Sequence, residues 1–414
     1  MKILHTSDWH LDCRLFNQKR TEEHKAFLDW LRDTIIQRQT DVLIVSGDIF
    51  DNRTPTLESQ NLYMQFITAL VEDRLAGKSA CRCAVIVGGN HDSPAFLEVT
   101  KPIFKYLNIT VAARKPEIVV VKPEKNGEQG LIIAAMPFLS DMDLRKSVEG
   151  ENAQEKSLHL MEGIRDAYKV CEKEALEKKA ELQSNTNVYI PLVATGHLFA
   201  QGGTCVEGEN AERDIYVGNI EKFPAGDFPE SFDYIALGHL HVPQKVGSQD
   251  RIQYSGSPLP IGFGEAAQNK QIIEVEWDKE GKQIVTTIPV PKFQNLVQIS
   301  GAHKAQILEK VKALIEQNQT SDSSVWLEVL YKGKEHAADF LQCLTDTLKD
   351  SRVILLAFRC ESNREQTLTA SFKGESLKTL NPAEVFQRTL DSLNIPKDKH
   401  EELIALFAQI QEEL

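Results

Sequence analysis

The chain has 414 residues, 42% of them hydrophobic and 26% charged, with a formal net charge of -13. That length predicts two or three domains with room for a sizeable core, and the composition excludes a disordered or fibrous protein. No apolar run reaches the roughly 18 residues of a membrane span, no charged-then-apolar leader precedes the first strand, and the net acidity excludes a surface built wholly for nucleic acid.

The first stretch, Lys2 to Thr6, is a short apolar run read as a buried strand, and Asp8 and His10 sit just past its end. Thr21-Glu22-Glu23 is a plausible helix cap, followed by Phe27, Leu28, Leu31 and Ile35 at helical spacing. A second strand, Val42 to Ser46, runs into Gly47-Asp48-Ile49-Phe50-Asp51. A helix carrying Leu62, Phe66, Ile67 and Leu70 follows, and a third strand, Cys83 to Val87, delivers Gly88-Gly89-Asn90-His91-Asp92. Strand and helix in alternation predict a parallel α/β sheet, in which ligands gather beyond the carboxyl ends of the strands.

Further on, Leu131 to Ala135 reads as a strand and residues 155–182 as a charged helix with Leu160, Ile164, Tyr168, Cys171 and Ala175 as its apolar stripe. Val188 to Ala194 leads to Thr195-Gly196-His197, and Tyr234 to Leu237 leads to Gly238-His239-Leu240-His241. Ile252 to Ser255, Ile272 to Trp277 and Ile284 to Val290 are expected to finish this domain, residues 1–292, as antiparallel structure with a turn at Gly281. Residues 293–360 predict a small α/β module without ligand-rich turns. Residues 361–414 predict a linker and two short helices, opened by Asn381-Pro382-Ala383-Glu384. Val385, Phe386, Leu390, Leu403 and Phe407 give these helices apolar stripes that invite a partner protein.

Collected, the strand ends supply Asp8, His10, Asp48, Asn90, His91, His197, His239 and His241. This oxygen and imidazole set without sulfur suits manganese or another divalent cation rather than structural zinc. Seven donors suffice for two cations if the central Asp48 is shared, and His91 is then free to act on the leaving oxygen of a phosphate ester. His5, inside a strand, and His24, His159 and His400, on helices, have packing or solvent contact as their default role. Seven scattered cysteines fit reduced thiols in the cytoplasm better than a disulfide framework. Arg14, Lys19 and Arg20, in the loop after the first donors, are candidate phosphate contacts.

With these residues in place the chain resembles the calcineurin-like metallophosphoesterases, whose motif series is D-x-H, G-D-x-x-D, G-N-H-D/E, G-H and G-H-x-H. Ile3 to Leu11, Arg213-Asp214-Ile215-Tyr216-Val217-Gly218 and Ser255-Gly256-Ser257-Pro258 resemble, more narrowly, a bacterial nuclease-subunit branch of that family. The resemblance implies a two-sheet α/β/β/α core with a capping domain. It implies one manganese held by Asp8, His10, Asp48 and His241, another by Asp48, Asn90, His197 and His239, and His91 as the catalytic histidine. The implied activity is cleavage of DNA, exonucleolytic from 3′ ends of duplexes and endonucleolytic on single strands and hairpins, in repair, recombination and replication near the nucleoid. The implied partner is an SMC-like coiled-coil ATPase bound by the terminal helices, in a heterotetramer dimeric for both subunits. ATP would act through that partner, since this chain has no G-x-x-x-x-G-K-[ST] phosphate loop.

Asp12 stands where the family usually has Gly. It reads either as a solvated loop residue or as an outer contact that alters metal affinity or DNA approach. Two other functions compete: a phosphatase or small phosphodiesterase on the same donor set, and a noncatalytic scaffold. The phosphatase pattern G-D-x-V-D-R-G is not met, because Asn52 separates Asp51 from Arg53.

Overall fold

The computed structural model describes residues 1–123, 128–144, 153–184, 186–203, 223–247, 249–319, 323–333 and 337–360, together with 386, 387, 390, 400, 403, 404, 406 and 407. The segment Arg213 to Gly218, the linker at 361–380, the helix opening Asn381 to Glu384, and Val385 lie outside the described residues. The chain divides into two compact units, Met1–Val297 with Ser323–Trp326, and Gln298–Asp322 with Leu327–Leu414.

The first unit begins with β1 (Lys2–Thr6), a short hairpin β2 (Arg14–Leu15) and β3 (Gln18–Lys19), α1 (Thr21–Arg38), β4 (Val42–Ser46), α2 (Leu57–Leu75), β5 (Cys83–Val87) and α3 (Pro94–Phe104). It continues through β6 (Ile109–Ala112), β7 (Glu117–Val121), β8 (Leu131–Ala135), α4 (Asp141–Leu144), α5 (Ala153–Gln183), β9 (Leu192–His197), β10 (Tyr234–Gly238), β11 (Gln244–Val246), β12 (Gln249–Tyr254), β13 (Gln271–Trp277) and β14 (Gln283–Pro289). Two six-stranded sheets result, in the orders β14-β13-β1-β4-β5-β6 and β11-β12-β10-β9-β8-β7.

The period of two along each strand dictates how these sheets stack. In β4, Val42 and Ile44 join a core shared by both sheets, whereas Leu43 and Val45 join the core under α1 and α2. In β10, Tyr234 and Ala236 enter the shared core and Ile235 and Leu237 the core under α5. Strands apolar on both faces must be covered on both, each buried Val, Leu or Ile contributing about 1.5–3 kcal/mol. The outcome is the expected α/β/β/α sandwich. β1, β4, β5 and β6 run parallel, as do β8, β9, β10 and β12.

The helices bury the expected faces: Phe27, Leu28, Leu31 and Ile35 on α1, Leu62, Phe66, Ile67 and Leu70 on α2, and Leu160, Ile164, Tyr168, Cys171 and Ala175 on α5. Three local expectations fail. The strand expected from Val188 begins only at Leu192, after Pro191. Thr21 is not the cap of α1; Arg20 occupies that position without a side-chain cap bond. The strand at 252–255 is parallel to β10 rather than part of a purely antiparallel finish, although β13 and β14 do pair antiparallel around Gly281. β6, β7, β11 and α3, the last capped by Ser93 with Pro94 in its first turn, lie outside the elements expected from sequence.

β15 (Asn295–Gly301), β16 (Val325–Tyr331) and β17 (Val353–Cys360) form a three-stranded sheet in that order, with α6 (Lys304–Gln317) and α7 (Ala337–Leu348). Ile307, Val311 and Leu314 of α6 are buried. Near the C-terminus the rings of Phe386 and Phe407 stack at 4.2 Å, Leu390 is buried, and Leu403 is half-buried.

Candidate metal centre

Each motif found in the sequence leaves the carboxyl end of a parallel strand: Asp8 and His10 after β1, Asp48 after β4, Asn90 and His91 after β5, His197 at the end of β9, and His239 and His241 after β10. The chain must turn sharply there. Asp8 (φ 52°), His10 (φ 45°), Asp48 (φ 50°) and His239 (φ 103°) are held in left-handed backbone that non-glycine residues rarely adopt. Their loops are pinned to one another, since Asp8 N–H donates to Gly47 O and His10 N–H to Asp48 O, both at 3.0 Å. A Cβ on Gly89 would lie 2.1 Å from Asp48 Oδ1, and one on Gly238 would lie 1.9 Å from Ser46 O. These two glycines are there because backbone and donor approach too closely for any side chain.

Asp92, the last residue of the G-N-H-D motif, ties two of these loops together. Its Oδ2 accepts from Gly89 N at 2.8 Å and Ile49 N at 3.2 Å, and its Oδ1 from Phe50 N at 2.9 Å. Burial and the neighbouring Asp48 charge push its carboxyl up to about 6.

The donors converge. His197 Nε2 lies 3.2 Å from Asp48 Oδ2 and 2.9 Å from Asn90 Oδ1, and His239 Nδ1 lies 3.1 Å from the same Asn90 oxygen. His10 Nε2 is 3.6 Å from Asp48 Oδ2 and 3.2 Å from His241 Nε2. The second nitrogen of His197 is occupied as well: its Nδ1–H donates to Ser46 O at 2.9 Å, which leaves its Nε2 lone pair for the site. Ligand atoms of Asp8, His10 and His241, of Asp8, Asp48 and His197, and of His10, Asp51 and His91 lie within 4.8 Å of one another. Acceptor lone pairs crowded this closely repel unless a proton or a cation lies between them, so the donor set fits divalent cations.

The electrostatics agree. Burial works against a charged His10, yet Asp51 and Asp48 hold it up at about 9. His197 is likewise held at about 9 against burial by Asp48. Asp48 is kept well below the usual carboxylate range, despite burial, by His197 and His10. Burial and the adjacent His197 push His239 down to about 3.

All seven expected donors and His91 therefore meet in one place. His91 N–H donates to Asp48 Oδ1 at 2.9 Å, and its Nδ1–H donates to the carbonyl of Asp51 at 2.9 Å. The three basic residues part company. Arg14 and Lys19 are exposed on the β2–β3 hairpin, where Lys19 meets Glu58 at 3.0 Å. Arg20 is buried; its guanidinium donates to Glu23 at 2.7 and 2.9 Å and to Pro260 O at 2.7 Å, so it is a clamp of the fold and not a phosphate contact. Asp12, at φ 79°, keeps the backbone a glycine would adopt and accepts from Thr56 N, the cap of α2, at 3.2 Å.

Sequence reasoning missed three groups. Asp51 belongs to the quoted motif, but only the fold shows it beside His10 Nδ1 at 3.3 Å. Glu265 and Lys270 bear on His241 from the stretch after Ser255-Gly256-Ser257-Pro258, where no motif marks them: Glu265 Oε1 lies 3.4 Å from His241 Nδ1, and Lys270 Nζ lies 2.5 Å from Glu265 Oε2. Burial alone would raise the Glu265 carboxyl, but His241 and Lys270 bring it down to about 2.

Comparison with known proteins follows the same lines. Residues 1–243 match the family model described as calcineurin-like phosphoesterase, and residues 292–393 match one described as type 5 capsule protein repressor C-terminal domain. The chain is 34% identical over 412 residues to the SbcD subunit of the nuclease SbcCD from Escherichia coli (strain K12), covering 98% of this chain and 97% of that one. It is 29% identical over 325 residues to the protein of the same name from Rhodobacter capsulatus (76% of this chain, 75% of that one). It is 32% identical over 278 residues to that of Bacillus subtilis (67% and 66%).

Proposed function

Since the chain belongs to the calcineurin-like phosphoesterases and, among them, to the SbcD subunits of SbcCD nucleases, we propose that it is the manganese-dependent nuclease subunit of a DNA-processing complex. The observation that carries this reading is the convergence, at the carboxyl ends of strands from both sheets, of Asp8, His10, Asp48, Asn90, His197, His239 and His241 with His91 alongside. Asp8, His10, Asp48 and His241 would hold one cation, and Asp48, Asn90, His197 and His239 the other. Bound there, two divalent cations supply Lewis acidity towards a phosphodiester and an attacking water.

The chain's own groups do the rest. Asp48 fixes both halves of the site through His10 and His197. With Nδ1–H engaged by the Asp51 carbonyl, His91 keeps Nε2 for the substrate; as the imidazolium, with a hydrogen on each nitrogen, it donates its Nε2 proton to the leaving oxygen and is left as the neutral Nδ1–H ring. Exposed Arg14 and Lys19 on the hairpin after His10 meet backbone phosphates. Cleavage is exonucleolytic from 3′ ends of duplexes and endonucleolytic on single strands and hairpins.

The partner is an SbcC-type SMC-like ATPase, docked by the terminal helices around Phe386, Leu390, Leu403 and Phe407, where Leu406 is 54% exposed. A homodimer within a heterotetramer is supported by α3, which leaves Val99 (74%) and Ile103 (67%) exposed one turn apart, with Tyr106 (88%) just beyond. The complex works in the cytoplasm at the nucleoid; no helix among the described residues is long and apolar enough to cross a membrane.

The test follows a labelled blunt duplex and a single-stranded circle with manganese, with chelator and with His91→Ala, in the presence and absence of the ATPase. Manganese-dependent cutting that His91→Ala abolishes while metal binding persists is expected. Hydrolysis of a small phosphodiester with neither DNA cut, even with partner and ATP, would replace the nuclease by another phosphodiesterase of the same family.

A further inference from the structure

Between β12 and β13 the chain makes a partly buried connector, Ser255 to Lys270, that supplies none of the proposed cation donors. It carries a carboxylate and an ammonium that are both almost wholly withdrawn from water: the side chains of Glu265 and Lys270 are 8% and 4% exposed. Buried charges are retained only where partners satisfy them, and here the partners are distributed unevenly.

Glu265 Oε2 accepts from Lys270 Nζ at 2.5 Å, from Ile261 N at 3.1 Å and from Ser257 Oγ at 3.4 Å. Around Lys270 Nζ stand three further acceptors, His241 O at 3.1 Å, Ser257 Oγ at 3.0 Å and Gln268 Oε1 at 3.0 Å, so its three N–H groups are shared among four oxygens. One carboxylate oxygen is thus saturated by the connector. The other, Oε1, faces His241 Nδ1 at 3.4 Å. On the opposite edge of that imidazole, Nε2 lies 3.2 Å from His10 Nε2. The backbone is held too, since His241 O accepts from Ser257 N at 3.2 Å as well as from Lys270.

We infer that Glu265, locked by Lys270, is a positioning residue for His241: it receives the Nδ1–H and so presents Nε2 to the cation position shared with Asp8 and His10. This rests on the two-cation reading given above and deepens it. A carboxylate behind a ligating imidazole fixes its tautomer and ring plane and raises its basicity as a ligand. An ion pair serving only the fold would not need one oxygen left for the histidine. The arrangement also makes the two cation positions unequal, because His197 is backed by a backbone carbonyl, Ser46 O, whereas His241 is backed by a full negative charge.

The experiment titrates the metal-free full-length chain with manganese, reading free ion by electron paramagnetic resonance, beside a thermal melt for each variant. Glu265→Asp keeps a counter-charge for Lys270 but withdraws it from the imidazole. The double variant Glu265→Gln/Lys270→Gln removes both charges, so no buried cation is stranded. His241→Ala is the control. Two ions should bind wild type. The Glu265 variants should keep one affinity and weaken the other by about 10- to 100-fold, with excess manganese restoring cleavage. Wild-type affinity at both positions in a folded Glu265 variant, with one position lost in His241→Ala, overturns the positioning role alone. Two unchanged affinities in His241→Ala overturn the ligand reading beneath it.

Discussion

His5 offers a clean test of the physics that holds the two sheets together. It is fully buried in β1, with Nδ1 3.0 Å from Tyr234 Oη and Nε2 3.2 Å from Leu237 O. Carbonyl oxygen only accepts, so Nε2 carries the hydrogen, and in the neutral ring the Tyr234 hydroxyl donates to Nδ1, which satisfies both nitrogens without a buried charge. Burial pushes His5 down to about 3, against about 6.5 in an unfolded chain. Between these values the unfolded state binds a proton that the native state refuses, so stability is complete above about pH 6.5 and falls as the pH drops. The slope is about 1.4 kcal/mol per pH unit, which integrates to about 2 kcal/mol between pH 7 and pH 5 for this one group. Urea unfolding in chelator, which removes the proton linkage of metal binding, should show the effect through the fluorescence of the four tryptophans, Trp9, Trp30, Trp277 and Trp326, all in the first unit. His5→Gln should cost stability at pH 7 but lose about 2 kcal/mol less than wild type on going to pH 5. Identical pH dependence of the two proteins would refute the assignment of a neutral, proton-refusing His5.

Arg20 and its neighbours should separate by assay. Arg20→Met strands Glu23 in the interior and should destabilise the first unit by about 3–5 kcal/mol in a thermal or urea melt. Arg14→Ala and Lys19→Ala should leave the melt unchanged and each lower the salt dependence of duplex binding by about one charge. Gly89→Ala drives a Cβ into Asp48 and should weaken manganese binding at both proposed positions by about tenfold or more in the same titration that counts ions, because the proposal has both share that carboxylate. If the proposed homodimer forms through the exposed face of α3, wild type should sediment as a dimer and Ile103→Glu as a monomer with an unaltered melt; a variant that stays dimeric would place the contact elsewhere, and a monomeric wild type would overturn the homodimer.

The site residues were legible because each is a short polar word at the end of an apolar run, and the end of a parallel strand is where a fold can gather such words. The core was legible for a related reason: runs such as Val42 to Ser46 are apolar on both faces, which demands cover on both. What escaped depends on distance in space. Arg14, Lys19 and Arg20 look alike in sequence, and only Glu23 and the carbonyl of Pro260, 240 positions along the chain, make the last a buried clamp. Glu265 and Lys270 stand 24 and 29 residues beyond His241 with no periodicity to mark them. Asp12 could not be placed because a carboxylate at a left-handed position is equally at home in solvent or against a helix start, and here Thr56 N decides.

Among the described residues, left-handed non-glycine backbone is concentrated at the centre. Left-handed φ at Asp8, His10, Asp48 and His239 costs roughly 1–2 kcal/mol each, a sum comparable with the whole net stability of a typical domain. Such conformations persist only where the surroundings over-determine them. Here those surroundings are specific: the bonds from Asp8 N to Gly47 O and from His10 N to Asp48 O, and the three backbone donors gathered by Asp92. Asp8 also accepts from His239 N at 2.9 Å, so a loop of one sheet holds a loop of the other. Cations that bind only the folded chain add to the same balance, since anything bound to the native state alone stabilises it. Cation binding and the seam between the sheets are therefore coupled. Removing either set of bonds weakens the other, and the strain localises the loss at the carboxyl ends of β1, β4 and β10 rather than across the sandwich.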